Sequence, residues 1–275
     1  MADDQSNDQQ LVDLLAQVWQ SIDSACADLT EAQWKTPTDL PGWTVQDNVV
    51  HISGIESTLL GRPAPDHTPP DYDHVKNDAG RMNEVWVDSR RPWRGVKVLD
   101  EFREVTGARI AQLRGFSDAD FGAESWTPAG PGTVRDLLPF RAFDSWAHEQ
   151  DLRRALGRPG DLEGPVADFA FKRIIGAMPF VVGKKVHPAD GTTVVFDVSG
   201  SWPAMVAIGI DGGRAKPLPA VPDAPTVTLS MDAETLACLG MGRWDPTKCM
   251  DAESVKISGN GKLGRAVVKN MNFLF

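Results

Sequence analysis

Asp144 and His148 stand four residues apart in the stretch Asp144-Ser-Trp-Ala-His148-Glu-Gln-Asp151, and Asp151 follows three residues later. On an α-helix these offsets fall on a single face. A carboxylate and an imidazole one turn apart can both reach one metal ion. Phe143 and Trp146 flank this stripe and call for at least partial burial, and a carboxylate beside apolar surface needs a partner, which a metal or His148 itself would supply. A second histidine, His51, sits in another helical pattern far upstream. Two histidines and one carboxylate on two helices are compatible with zinc, nickel or iron and leave open positions for water or substrate.

The other reactive residues read as structural. Cys26, Cys238 and Cys249 are odd in number and show no C-x-x-C spacing, which argues against a disulfide framework or a thiolate zinc site. Cys26 continues the core series Leu15, Trp19, Ile22, Cys26, Leu29 and reads as a buried inert thiol. His67 and His74 fall in an acidic, proline-rich loop and read as solvated, and His187 reads as a surface residue. Trp43, after Pro41-Gly42, is placed to plug a helical bundle at the start of the His51 helix.

The elements that must position these residues are helical over the first part of the chain. Residues 1–8 read as disordered. Leu11, Leu15, Val18, Ile22, Cys26 and Leu29 step by three and four, the mark of an amphipathic helix. Thr44-Val45-Gln46-Asp47 is a capping-box-like start for a helix that runs to about Leu60, and Thr133-Val134-Arg135-Asp136 repeats it before the Asp144 stretch. Pro139 would kink or restart that helix, and Gly157 with Pro159 beyond it marks the end. A helix from roughly Val75 to Ser89 and another that follows Pro92 and ends near Gly115 complete a bundle over residues 9–157. Residues 122–132, with three glycines and two prolines, read as a loop.

After one more apolar helix at 165–182 the period changes. Thr192 to Val198, Met205 to Ile210, Val227 to Leu229 and Val255 to Ile257 read as strands, with helices at Asp232–Leu239 and Gly264–Met271. The expected fold is therefore α+β overall: a helical bundle over 1–160, then a smaller α+β domain with a largely antiparallel sheet over 161–275.

The net charge of −10 supports that boundary, because the acid excess lies wholly in residues 1–160. An acidic chain without a basic stripe is a poor partner for nucleic acid or an anionic membrane. No apolar run approaches the ~18 residues of a membrane span, and Met1 to Gln10 has no apolar signal core, so the expected location is the cytoplasm. There is no G-x-G-x-x-G or Walker-type loop for a nucleotide.

Leu40-Pro41-Gly42-Trp43-Thr44-Val45-x-Asp47-x-x-x-His51 resembles the first signature of the mycothiol-dependent maleylpyruvate isomerase family, a branch of the DinB-like four-helix bundles. Asp144-x-x-x-His148-x-x-Asp151-Leu152, then Ala155-x-Gly157-Arg158-Pro159, is similar to its second, in which Glu usually stands at the first position. Leu239 to Pro246 and the Ile257-Ser-Gly259 turn resemble the family's accessory domain, itself similar to sterol carrier proteins. The resemblance implies that His51, Asp144 and His148 ligate a divalent metal, usually zinc, with Asp151 second in line or stabilising the helix. It implies an enzyme that uses mycothiol, a low-molecular-weight thiol, for isomerisation or S-transfer on a small electrophile, and Arg243 as the cation for an anionic substrate. Two other readings stay open: a ligand- or lipid-binding module with a structural or vacant metal site, and a metal-assisted hydrolase. The substrate and the choice between monomer and homodimer are not fixed by the residues.

Overall fold

The computed structural model describes residues 2–274, and they divide into two compact units, 2–161 and 162–274. The first contains α1 (Ala2–Cys26), α2 (Glu31–Trp34), α3 (Val45–Leu59), α4 (Asp78–Arg90), α5 (Gly95–Arg114), α6 (Asp118–Phe121), β1 (Glu124–Thr127), β2 (Gly130–Thr133) and α7 (Val134–Leu156). The second contains α8 (Gly164–Phe180), a π-helical turn at Val181–Val186, β3 (Thr193–Ser199), β4 (Ala204–Asp211), β5 (Arg214–Pro217), β6 (Val227–Asp232), α9 (Ala233–Gly240), α10 (Pro246–Asp251), β7 (Val255–Gly259) and α11 (Gly261–Lys269).

Four long helices build the first unit. α1 packs on α5 and α7, and α3 packs on the same two, so the four close around one core, with α4 laid against α3. Leu15, Ile22, Val49, Ile52, Phe102, Val105, Leu138, Trp146 and Leu152 fill that core and are almost wholly removed from water. Inside it the Trp19 indole donates to Ser145 Oγ at 2.9 Å.

Three expectations for this unit are corrected. The chain is helical from Ala2, and Asp8 is buried against the Arg135 guanidinium, which anchors a segment whose polar composition reads as disordered. Residues 124–133 form the antiparallel hairpin β1–β2 rather than a loop, with Glu124 opposite Thr133 and Thr127 opposite Gly130. Its turn is held by Thr127, whose hydroxyl donates to Gly130 O at 2.8 Å, and its strands are too short and glycine-rich to show an apolar alternation. α7 runs unbroken through Pro139. The missing amide forfeits one hydrogen bond, and the burial of Leu137, Leu138, Ala142 and Phe143 holds the helix together across it.

The second unit is one five-stranded sheet in the order β5-β4-β3-β6-β7, antiparallel except for the central β3–β6 pair. Val194, Phe196, Val198, Leu229 and Met231 bury one face of the sheet, and Val195 is buried on the other. β5, α2, α6 and α10 are short elements without a readable period.

Both helices that carry the site residues start from a complete capping box. The Thr133 hydroxyl accepts from the Asp136 amide, and the Asp136 carboxylate accepts from the Thr133 amide at 2.9 Å. α7 ends at Gly157, whose φ of 62° only glycine adopts freely. Replacing Thr133 by Ala removes the cap from the α7 start and should lower stability by about 1 kcal/mol, read as a drop in the urea midpoint with unchanged slope.

Candidate metal centre

α3 and α7 bring His51, Asp144 and His148 together. His51 Nε2 lies 3.4 Å from Asp144 Oδ2, and His148 Nε2 lies 3.4 Å from Asp144 Oδ1. The imidazole rings sit edge to face with centroids 4.6 Å apart, and one donor atom from each residue falls within 4.8 Å of the other two. Bonds of about 2.0–2.1 Å to a tetrahedral ion place neighbouring donors roughly 3.3–3.4 Å apart; each histidine nitrogen stands at that distance from a different oxygen of Asp144, so the cluster is of the size to gather around one cation. Both histidines are buried, while the Asp144 side chain keeps 32% of its surface exposed and is the face open to solvent.

The ring of His148 is oriented by its other nitrogen. Nδ1 lies 2.7 Å from Asn48 Oδ1 and 3.5 Å from Asp151 Oδ2. The Asn48 amide donates to Thr44 O at 2.9 Å, which turns its carbonyl oxygen toward the histidine. Nδ1 therefore donates and Nε2 is left for a metal, an arrangement that raises ligand basicity. His51 Nδ1 has no hydrogen-bond partner among the described residues. Its ring is held instead by Trp43, whose indole lies 5.1 Å from His51 and 5.8 Å from His148.

Trp43 is itself fixed. Its Nε1 donates to Glu84 Oε1 at 2.7 Å, and His74 Nε2 meets the same oxygen at 2.8 Å. Gly42 holds φ 77°, and any Cβ there would collide with the His74 ring. His67 pairs with Asp88 at 2.6 Å. His67 and His74 are thus half-buried and paired with α4 carboxylates, rather than free in solvent as the composition of their loop suggests, and clamp the loop to α4.

Behind Asp144 runs a buried chain of charge. Arg141 Nη1 donates to Asp144 Oδ2 at 2.7 Å and Arg141 Nε donates to Glu56 Oε1 at 2.7 Å. Arg109 Nε approaches Glu56 Oε2 at 3.3 Å. Glu56, Arg109 and Arg141 are all nearly inaccessible to water. Breaking such a group by removing one partner costs on the order of 3–5 kcal/mol, because a charge is left buried alone. Sequence reasoning missed all three residues and Asn48. The only signal was that Asn48 lies one turn before His51 and that Arg141 lies one turn before Asp144.

Electrostatics sort the three site residues. Burial pushes the His51 imidazole down to about 4, so it stays neutral near pH 7. Burial also opposes charge on His148, but the Asp144 and Asp151 carboxylates outweigh it and raise this histidine. Burial works against the Asp144 carboxylate as well, yet the Arg141 guanidinium and the two histidines hold it well below the usual range. Two imidazoles and one ionised carboxylate are a donor set that zinc accepts, so the residues fit a divalent metal.

Asp151 pairs with the Arg154 guanidinium as well as facing His148. Arg243 lies in the second unit, half-buried just past α9, after Gly242 at φ 69°, with Nη1 donating to Met241 O at 2.9 Å. All three cysteines are buried and none is in a disulfide, and burial pushes the Cys26 thiol up to about 12.

Fold and site define a helical bundle with a two-histidine, one-carboxylate cluster on α3 and α7, joined in one chain to a sterol-carrier-like α+β unit. Residues 171–272 match the SCP-2 sterol transfer family. Residues 15–153, just over half the sequence, match the mycothiol maleylpyruvate isomerase N-terminal domain, and the chain belongs to that family. Among solved structures it is similar to a mycothiol-dependent maleylpyruvate isomerase (TM-score 0.52, 16% identity, 91% of this chain and 92% of the other). A histidine-to-alanine mutant of such an isomerase gives 0.53 at the same identity and coverage. At that identity the likeness speaks for the fold. No curated protein matches the sequence. No helix among the described residues is long and apolar enough to cross a membrane.

A metal bound here must displace the proton that Asp144 and Asp151 favour on His148. Calorimetric zinc titration in buffers of differing ionisation heat should show protons released on binding, more at low pH and progressively fewer as pH rises. The apparent affinity should fall with falling pH. His51→Ala should abolish one-to-one zinc binding.

Proposed function

We propose that this protein is a thiol-dependent isomerase that holds one divalent metal, zinc first, on His51, Asp144 and His148 and uses mycothiol or a similar small thiol. The observation that carries this reading is the convergence of those three side chains in a member of the mycothiol maleylpyruvate isomerase family. A zinc ion bound there would make a coordinated thiol available as thiolate near neutral pH.

The protein's own residues then supply orientation and environment. His51 enters neutral, His148 is aimed by Asn48, and Asp144 stays ionised through Arg141. Trp43 forms an apolar wall across both imidazoles and excludes water from that side. The thiolate adds to one carbon of a conjugated cis alkene, and the π pair moves onto the conjugated carbonyl. The resulting single bond rotates, and expulsion of the thiol gives the trans isomer with the thiol regenerated. In S-transfer the thiolate instead displaces a group from the electrophile: the carbon–sulfur bond forms as the bond to the leaving group breaks, and that group departs with the electron pair. The role proposed for Arg243 is recognition of an anionic substrate group, a reading supported by the family resemblance of Leu239 to Pro246.

The test uses one preparation: elemental analysis for metal, and turnover of maleylpyruvate with and without mycothiol. Turnover that needs both supports the proposal. Metal-dependent activity without thiol would favour hydrolysis, and metal-independent binding of apolar ligands alone would favour a carrier. Pretreating native protein with iodoacetamide should leave activity intact, because its own thiols are buried. Arg243→Ala should lower turnover of an anionic substrate by about 10²-fold, the order seen on losing one stabilising donor, with metal content unchanged.

A further inference from the structure

Arg141 touches two carboxylates with different fates. Glu56 is a buried residue of α3 with no path to solvent, whereas Asp144 belongs to the candidate centre and is partly open. The guanidinium reaches Asp144 through Nη1 and Glu56 through Nε, both at 2.7 Å, so its plane is fixed from two helices at once. The bond to Asp144 falls on Oδ2, which also lies 3.4 Å from His51 Nε2, and leaves Oδ1, 3.4 Å from His148 Nε2, clear of the guanidinium.

We propose that Arg141 is the positioning residue of this centre. By claiming Oδ2 it holds Asp144 in one rotamer and presents Oδ1 to the metal, and Glu56 locks the arginine that does so. The proposal rests on the metal reading above. Asp144 is the shortest carboxylate side chain, and on its own it would rotate freely at the partly exposed end of the cluster. A planar guanidinium fork can grip two carboxylates at once in a way that a lysine ammonium cannot. A partner of this kind behind a metal ligand typically contributes 10–100-fold to metal affinity.

Arg109 supplies the control. It pairs with the same Glu56, from α5, and is equally buried, but it makes no contact with Asp144. If Arg141 mattered only as part of the buried charge group, the two arginines would be equivalent.

The experiment compares wild type, R141Q, R141K and R109Q by zinc affinity in chelator competition, by the visible ligand-field bands of the cobalt-substituted protein, and by urea midpoint. R141Q should bind zinc about 10–100-fold more weakly and shift the cobalt bands. R141K, which keeps the charge but loses the fork, should fall between R141Q and wild type. R109Q should lose stability while its zinc affinity and cobalt bands stay close to wild type. The proposal is overturned if folded R141Q binds zinc within twofold of wild type with unchanged bands, or if R109Q weakens zinc as much as R141Q. Where R141Q does not fold, R141K decides, and wild-type affinity and bands in that variant overturn the proposal equally. Failure of wild type itself to take up zinc would instead remove the metal reading on which this one stands.

Discussion

Glu56 is the constraint on which the first unit depends. A carboxylate sealed inside a bundle is unstable unless its charge is met, and here Arg109 from α5 and Arg141 from α7 meet it from two sides. The group draws three helices onto one point and tolerates little sliding between them, because a shift of one helix along another would strand a charge in a medium that cannot solvate it. His51 sits five residues before Glu56 on α3, and Asp144 three residues after Arg141 on α7. The register that satisfies Glu56 is therefore the register that brings the two histidines within reach of one another. Apolar packing alone would accept several neighbouring alignments of these helices.

Around that core the centre is built from unequal parts. His148 is aimed by a hydrogen bond, His51 by a tilted ring contact with Trp43, and Asp144 by an ion pair. The protonation preferences are unequal too: one imidazole is kept neutral by burial, and the other is drawn toward its charged form by two carboxylates. Trp43 links this inner layer to the outer loop, since the glutamate that holds its indole also holds His74. The loop clamped to α4 is thereby part of the scaffold of the site.

Much of this was legible in the sequence where a period or a spacing carried it. The i, i+4 relation of Asp144 and His148, the two Thr-x-x-Asp caps, the glycine after Leu156 and the switch from helical to alternating pattern near residue 190 all have local causes, and each marks the element it indicates. What escaped lacks a local cause. Nothing near Glu56 distinguishes it from a solvated glutamate, because its partners lie 53 and 85 residues away. His67 and His74 looked exposed because their loop is acidic and proline-rich, yet the carboxylates that claim them are on α4. The hairpin at 124–133 escaped because strands of four residues with two glycines offer no alternation. Pro139 misled in the other direction, since a helix with enough buried surface on both sides absorbs one missing donor. At 16% identity to solved structures of like fold, few residues are shared.

The strand order of the second unit has a consequence for how this protein behaves at high concentration. Its central strands are hydrogen-bonded on both sides, so only β5 and β7 present open backbone groups. β5 is four residues long and reads Arg214-Ala-Lys216-Pro217, and β7 carries Lys256 at its middle. Short length, a proline that cannot donate and repeated positive charge are the features by which sheet edges refuse a further strand. A second copy of the chain approaching either rim meets like charge and a broken ladder. The most β-rich part of the molecule is thus poorly suited to templating its own aggregation.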